Sequence, residues 1–221
     1  MARIMSEVEM IVETEAVAPF FKNGYVVGCS ATREAVLIDP GDEVPALLAF
    51  AERERLRIRH ILLTHAHVDH VTGVGVAKRA LVAPVYLHHD DLFLYEGVAQ
   101  QGAMFGIPVG PLPPIDVFYS AGQVISFGEY EARPHHTPGH CPGGVCLAVA
   151  KKGERPADLF VGDTLFAGSI GRTDLPGGDY ETLIRSIRTV LFAFGDDAHA
   201  YPGHGPATTI GAERRTNPFL T

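Results

Sequence analysis

The sequence predicts an α/β sandwich. Three observations carry that expectation. Short β-rich runs and amphipathic helical runs alternate irregularly in both halves of the chain, unlike the regular strand–helix–strand order of a purely parallel sheet. Histidines and aspartates cluster in glycine- or proline-flanked loops directly after expected strands, again in both halves. With 221 residues, 46% of them hydrophobic and 20% charged, the chain can bury a sizeable core. Residues 1–221 are expected to form one domain.

In chain order, Met10–Val12, Tyr25–Cys29 and Ala35–Ile38 are short β-rich runs, with Lys22-Asn23-Gly24 as a turn signal between the first two. Asp39-Pro40-Gly41 ends the third. A helix is expected next, capped by Asp42, with Pro45 in its first turn, where a missing N–H is tolerated. Val44, Leu47, Leu48 and Ala51 recur at i, i+3, i+4 and i+7 and so share one face. Ile61-Leu62-Leu63 reads as a buried strand that delivers Thr64 onward to a loop, followed by a helix over Thr72–Arg79 and a strand over Val85–Leu87. Residues 97–114 hold four glycines and four prolines, a long irregular connection expected to form part of a substrate wall. In the second half, Val124–Phe127, Tyr130–Arg133, Val145–Ala150 and Leu159–Val161 read as strands. Asp179 then caps an amphipathic helix with Leu183, Ile184, Ile187 and Leu191 on one face.

The formal net charge of −8 disfavours a nucleic-acid partner. Three cysteines, Cys29, Cys141 and Cys146, form no CxxC pair, which argues against a disulfide framework and a cysteine zinc site. Glutamates at 7, 9, 13 and 15 interrupt every apolar run near the N-terminus, and no stretch has the length of a membrane span. A reduced, cytoplasmic protein with neither a signal peptide nor a membrane partner is expected.

The chemistry concentrates in Thr64-His65-Ala66-His67-Val68-Asp69-His70, where four metal-capable side chains fall within six residues. Imidazole and carboxylate bind zinc and similar divalent ions well. Positions 65 and 67 point the same way in an extended segment and can share one metal, while Asp69 and His70 turn past them toward a second. His140 (in Thr137-Pro138-Gly139-His140), Asp163 (after Leu159–Val161) and His204 (in Pro202-Gly203-His204-Gly205) would complete the shells, with Asp163 able to bridge through its two oxygens. His60, His88, His89, His135, His136 and His199 lack such a pattern and are expected to be structural or exposed. His136 precedes His140 by four, but Pro138 between them excludes a helical ligand pair.

HxHxDH followed by a distant histidine, an aspartate and a last histidine resembles the metallo-β-lactamase superfamily. The resemblance covers nearly the whole chain, from Asp39-Pro40-Gly41 to the tail. Within it, Leu165–Asp174 and Glu213–Phe219 are similar to the short bacterial glyoxalase II (hydroxyacylglutathione hydrolase) type. The resemblance implies a four-layer αββα sandwich with metals at one edge of the sheets. It implies that His65, His67 and His140 hold metal one, that Asp69, His70 and His204 hold metal two, and that Asp163 bridges. Asp39 would stand behind the ligands and steady the histidine loop. Two divalent ions are expected, zinc before iron or manganese.

Water bridging two such ions is deprotonated near neutral pH and becomes a nucleophile for an acyl carbon, with Asp69 orienting it or taking its proton. Cys141, beside His140 but followed by Pro142-Gly143-Gly144, is read as a packing residue. The resemblance implies a small-molecule acyl thioester such as S-D-lactoylglutathione, with Arg172 pairing the carboxylates of an anionic thiol carrier; an Arg172–Asp174 pair is the other reading. No counterpart of the C-terminal helical domain of longer glyoxalase II enzymes is expected, and Pro206 stands where they place a tyrosine. One alternative is a persulfide dioxygenase of the same fold, with a single iron on His65, His140 and Asp163, although Ile170 stands where that class has a cysteine. A hydrolase of another ester, lactone or amide is a second. A β-lactamase is disfavoured because those enzymes usually have cysteine or serine at the position of Asp163.

Overall fold

In the computed structural model, which describes residues 8–107 and 109–221, six strands from the first half build one sheet. They are β1 (Met10–Val17), β2 (Lys22–Cys29), β3 (Glu34–Ile38), β4 (Arg57–Leu62), β5 (Val85–Leu87) and β6 (Val117–Phe118), side by side in chain order. β1 to β3 pair antiparallel and β3 to β6 parallel. The second half supplies β7 (Ile125–Phe127), β8 (Tyr130–His136), β9 (Val145–Lys151), β10 (Asp158–Gly162), β13 (His199–Pro202) and β14 (Thr208–Thr209), ordered β14-β13-β10-β9-β8-β7. A small hairpin of β11 (Leu165–Phe166) and β12 (Ser169–Ile170) stands apart.

Alternation along the strands explains the layering. In β3, Ala35 and Leu37 meet Val44 and Leu47 of helix α1 (Val44–Arg53), while Val36 and Ile38 face Leu147, Val149 and Phe160 of the other sheet. In β9 the same alternation puts Val145, Leu147 and Val149 between the sheets, and Cys146 and Ala148 against Leu183 and Ile187 of α6 (Tyr180–Thr189). Strands buried on both faces read as unbroken apolar runs rather than half-polar ones. Three apolar layers thus separate four structural layers, giving the expected αββα sandwich. The remaining helices are α2 (Val68–Val71), α3 (Val74–Ala80), α4 (Leu92–Glu96), α5 (Val98–Met104) and α7 (Ile210–Thr216).

Several local expectations are corrected. Lys22-Asn23-Gly24 lies inside β2; the turn is at 18–21, closed by Phe21 at φ 52°. Asp42 does not cap α1, which follows Glu43 without a side-chain cap. The reason is a buried ion pair. Lys22 and Glu43, each 2% exposed, meet at 2.5 Å, and the same carboxylate accepts from Gly41 N at 2.9 Å. Lys22 Nζ also donates to the Asp39 carbonyl, so the pair braces the whole Asp39–Gly41 turn. The helix expected from Thr72 begins at Val68 and breaks at Gly73, whose N–H donates to Pro40 O rather than continuing the first turn. Residues 98–104, read as irregular, form α5.

Removing one partner of a buried pair leaves an uncompensated charge, at a cost of about 3–5 kcal/mol. Lys22→Met is therefore expected to lower the unfolding free energy by about that amount in urea titrations. Adding Glu43→Gln, which keeps an acceptor for Gly41, should recover at least half; no recovery would mean that Lys22 acts other than by charge.

Candidate metal centre

Parallel pairing brings the strand ends together. Asp39 directly follows β3, and β4 delivers Thr64 to the loop that carries His65 and His67 before α2 presents Asp69 and His70. From the second sheet, His140 lies between β8 and β9, Asp163 directly after β10 and His204 just beyond β13. The start of β2 fastens that last loop. Asn23 N donates to Gly203 O (2.7 Å), its side chain to Pro202 O and Gly205 O, and Tyr25 OH to Pro202 O (2.7 Å).

All seven expected residues converge. His65, His67 and His140 offer nitrogens within 4.8 Å of one another, with His67 Nδ1 2.7 Å from His140 Nε2. Asp69, His70 and His204 form a second trio, His204 Nε2 lying 3.1 Å from Asp69 Oδ2. Asp163 sits between the trios. Its Oδ1 is 3.4 Å from His70 Nε2, and its Oδ2 is 3.6 Å from both His140 Nε2 and His204 Nε2.

Hydrogen bonds behind the ring fix which nitrogen faces inward. Asp39, at φ 48°, accepts from Thr64 N and Thr64 Oγ1 (both 2.6 Å) and from His70 Nδ1 (3.0 Å). Thr64 Oγ1, its proton spent on Asp39, accepts from His65 Nδ1 at 3.1 Å. His140 Nδ1 donates to the Arg172 carbonyl at 2.7 Å. Each of these rings therefore turns its Nε2 into the centre. His65 Nε2, His70 Nε2 and Asp163 Oδ1, which face the centre, are buried without a hydrogen-bond partner among the described residues. Buried acceptors aimed at one another are costly alone and suit divalent cations.

Charge points the same way. Burial, with neighbouring histidines, pushes His65 well below its ordinary range and His67 down to about 3, so both stay neutral donors of a lone pair. Burial opposes charge on His70 as well, but Asp69, Asp163 and Asp39 outweigh it and raise that ring to about 10. Burial likewise works against the Asp163 carboxylate, yet His70, His140 and His65 hold it well below the usual carboxylate range. Three carboxylates thus call for positive charge at this point.

Two groups that the sequence did not mark out hold the loops, the buried Asp91 and the half-buried Gln101. Asp91 accepts from Ala66 N, Cys141 Sγ and Gly143 N, and Gln101 bridges Val68 N, Ala66 O and Leu94 O. Asp91 follows β5 as His65 follows β4, and that post-strand position was the available signal. Cys141 is fully buried, and burial pushes its thiol up, in keeping with a packing role. Gly203 is required by space, since a Cβ there would collide with the Asp163 carboxylate and the His70 ring. His136 and His88 stack at 4.1 Å outside the centre, and His136 Nε2 donates to Pro142 O.

A cavity of about 230 Å³ opens onto both trios, walled by Phe20, Val68, Gln101, Phe105, Arg172 and Leu175. Arg172 thus reaches the cavity, while its exposed guanidinium is gripped by both oxygens of Asp174 (2.7 and 2.8 Å). Only the early part of the 97–114 stretch, through Gln101 and Phe105, forms this wall. Val109–Ile115 instead line a larger apolar hollow of about 460 Å³ with no histidine.

Residues 17–204 match the family model described as the metallo-beta-lactamase superfamily. The hydroxyacylglutathione hydrolase GloC of Haemophilus influenzae is 40% identical over 190 residues, 85% of this chain and 88% of that protein. Among solved structures, TTHA1623 in a di-iron-bound form is 41% identical with a TM-score of 0.83, covering 95% of this chain and all (100%) of that one. The B3 metallo-beta-lactamase BLEG-1 is 37% identical, also at 0.83, covering 96% and 100%. Sequence, fold and the converging histidines and aspartates agree that the chain belongs to the metallo-β-lactamase superfamily.

Proposed function

We propose that this chain is a dinuclear metal-dependent hydrolase of thioesters. The observation that carries the reading is the assembly of two complete trios joined by one carboxylate. His65, His67 and His140 would hold one divalent ion, Asp69, His70 and His204 the other, and Asp163 both. Such ions supply a water deprotonated near neutral pH and polarise an acyl carbonyl. The rest falls to the chain's own groups. Asp69, 3.1 Å from His204 and at the cavity floor, orients the attacking water or accepts its proton. Asp39, Thr64 and the Arg172 carbonyl keep three imidazoles turned inward. Phe20, Phe105 and Leu175 shield the cavity from bulk water. The acyl carbon gains oxygen from water, and its bond to sulfur breaks to release a thiol.

The Haemophilus relative's name supports thioesters and makes S-D-lactoylglutathione the first substrate to test. Zinc suits the donor set, and the di-iron neighbour keeps iron in view beside manganese. A persulfide dioxygenase with one iron on His65, His140 and Asp163 would draw on the same residues, so the number of ions and the substrate, not the ligand set, separate it from a hydrolase. The BLEG-1 neighbour makes a β-lactam the natural control substrate. The reading includes a cytoplasmic setting, supported by three free, buried cysteines. Among the described residues no helix is long and apolar enough to cross a membrane.

Elemental analysis of purified protein, with a thioester, persulfide and β-lactam panel, tests the proposal. Two ions per chain and thioester turnover are expected; one iron with oxygen uptake on a persulfide would overturn it. Asp163→Ala should lose metal and activity together, and full metal retention would contradict its bridging role. As an anchor for an anionic carrier, Arg172 would exchange Asp174 for a substrate carboxylate. Arg172→Ala is then expected to raise KM for S-D-lactoylglutathione about two- to fivefold, the scale of an exposed ion pair. An unchanged KM would remove the side chain from the substrate site.

A further inference from the structure

One buried carboxylate takes no part in the chemistry above. Asp91 is fully buried at the start of α4, close to the end of β5. β4 and β5 run parallel, so their ends lie side by side and Asp91 comes up beneath the loop that carries His65 and His67. Its Oδ2 accepts from Ala66 N at 3.0 Å and from Cys141 Sγ at 3.2 Å, and its Oδ1 accepts from Gly143 N at 2.6 Å. Ala66 is the residue between His65 and His67, and Cys141 is the residue after His140. The approach is close enough that a Cβ on Gly143 would come within 2.8 Å of the Asp91 carboxyl carbon.

Every donor that Asp91 takes belongs to a segment holding a member of the three-histidine trio. None belongs to Asp69, His70 or His204. Asp39, by contrast, reaches both trios. We infer that Asp91 is a positioning residue for one metal, setting the His65, His67 and His140 trio, whereas Asp39 holds His70 directly and His65 through Thr64. This rests on the dinuclear reading.

The chemistry of the contact says why the residue is aspartate. Three donors converge on two oxygens, and an ionised carboxylate is acceptor-only. Asparagine is nearly the same size, but either flip of its amide aims an NH₂ at a backbone N–H, of Gly143 or of Ala66. One of the two loops must then move, and the histidine spacing moves with it. Outer contacts of this kind commonly change metal affinity about 10–100-fold.

The test uses metal-stripped full-length protein titrated with Co²⁺. Visible absorption and the paramagnetically shifted imidazole N–H resonances are followed, with circular dichroism as the check on folding. Wild type should take up two ions. Asp91→Asn should keep its secondary structure and bind one ion as wild type does, with the His65 and His140 resonances appearing only at about tenfold higher Co²⁺ or more. Asp39→Asn, which touches His70 directly and His65 through Thr64, should weaken both ions and so serves as the unselective control. Should Asp91→Asn fail to fold, Cys141→Ala removes one of the three donors and should weaken the same ion by about threefold. Equal weakening of both ions in the variant that folds, or affinities within twofold of wild type, would overturn the inference while leaving the hydrolase reading intact. A wild-type chain that binds only one ion overturns the dinuclear reading, and this inference with it.

Discussion

The carboxylate of Asp39 is the constraint on which the centre depends. Its backbone is held at φ 48°, a left-handed conformation costly for most residues and tolerated by aspartate. From there one side chain receives the backbone of Thr64, the hydroxyl of Thr64 and the ring of His70. Through Thr64 it reaches His65 as well. The strain is sustained from below by Lys22 and Glu43, a buried pair that closes on the Asp39 carbonyl and the Gly41 amide. A surface ion pair could not do this, because water would screen it and the side chains would wander. The desolvation cost of the pair is offset by the hydrogen bonds that surround it.

The metal-side residues were legible in the sequence because their chemistry is local and dense. Four ligand-type side chains in six residues, and three more after later strands, need no knowledge of packing to be noticed. The layering was legible for a related reason. Strands buried on both faces, such as Ala35–Ile38 and Val145–Ala150, show as unbroken apolar runs. What stayed hidden depends on contacts distant in sequence. Glu43 starts α1 instead of Asp42 because of a lysine 21 residues away. Lys22-Asn23-Gly24 carries turn residues but is held as a strand by β1 and by the loop at Gly203. The two-residue strands β6, β11, β12 and β14 are too short to display a period at all. Asp91 lay in view within a run of histidines and aspartates, yet its partners are 25 to 52 residues away.

The two halves of the sandwich contribute unequally to the centre. The first supplies a contiguous motif on a rigid loop and helix start, and the second supplies three single residues at separate strand ends. The ligand set therefore exists only once the sheets have docked through Tyr25, Phe160 and their neighbours. Ion binding and sheet docking favour each other for that reason. The net charge of −8 is compatible with such a centre, since cations bound among three carboxylates lower the local repulsion.

His140 is oriented by the main-chain carbonyl of Arg172 and not by its side chain. A carbonyl is common to all twenty amino acids, so position 172 can hold a ligand in place whatever residue it carries. Its guanidinium meanwhile is exposed and held by Asp174. One residue thus orients His140 with its backbone and pairs with Asp174 through its side chain, and the two contacts are separable. Substitution at 172 can therefore change the side chain beside the cavity while the carbonyl that orients His140 stays in place, so the wall and the centre can vary independently at this position.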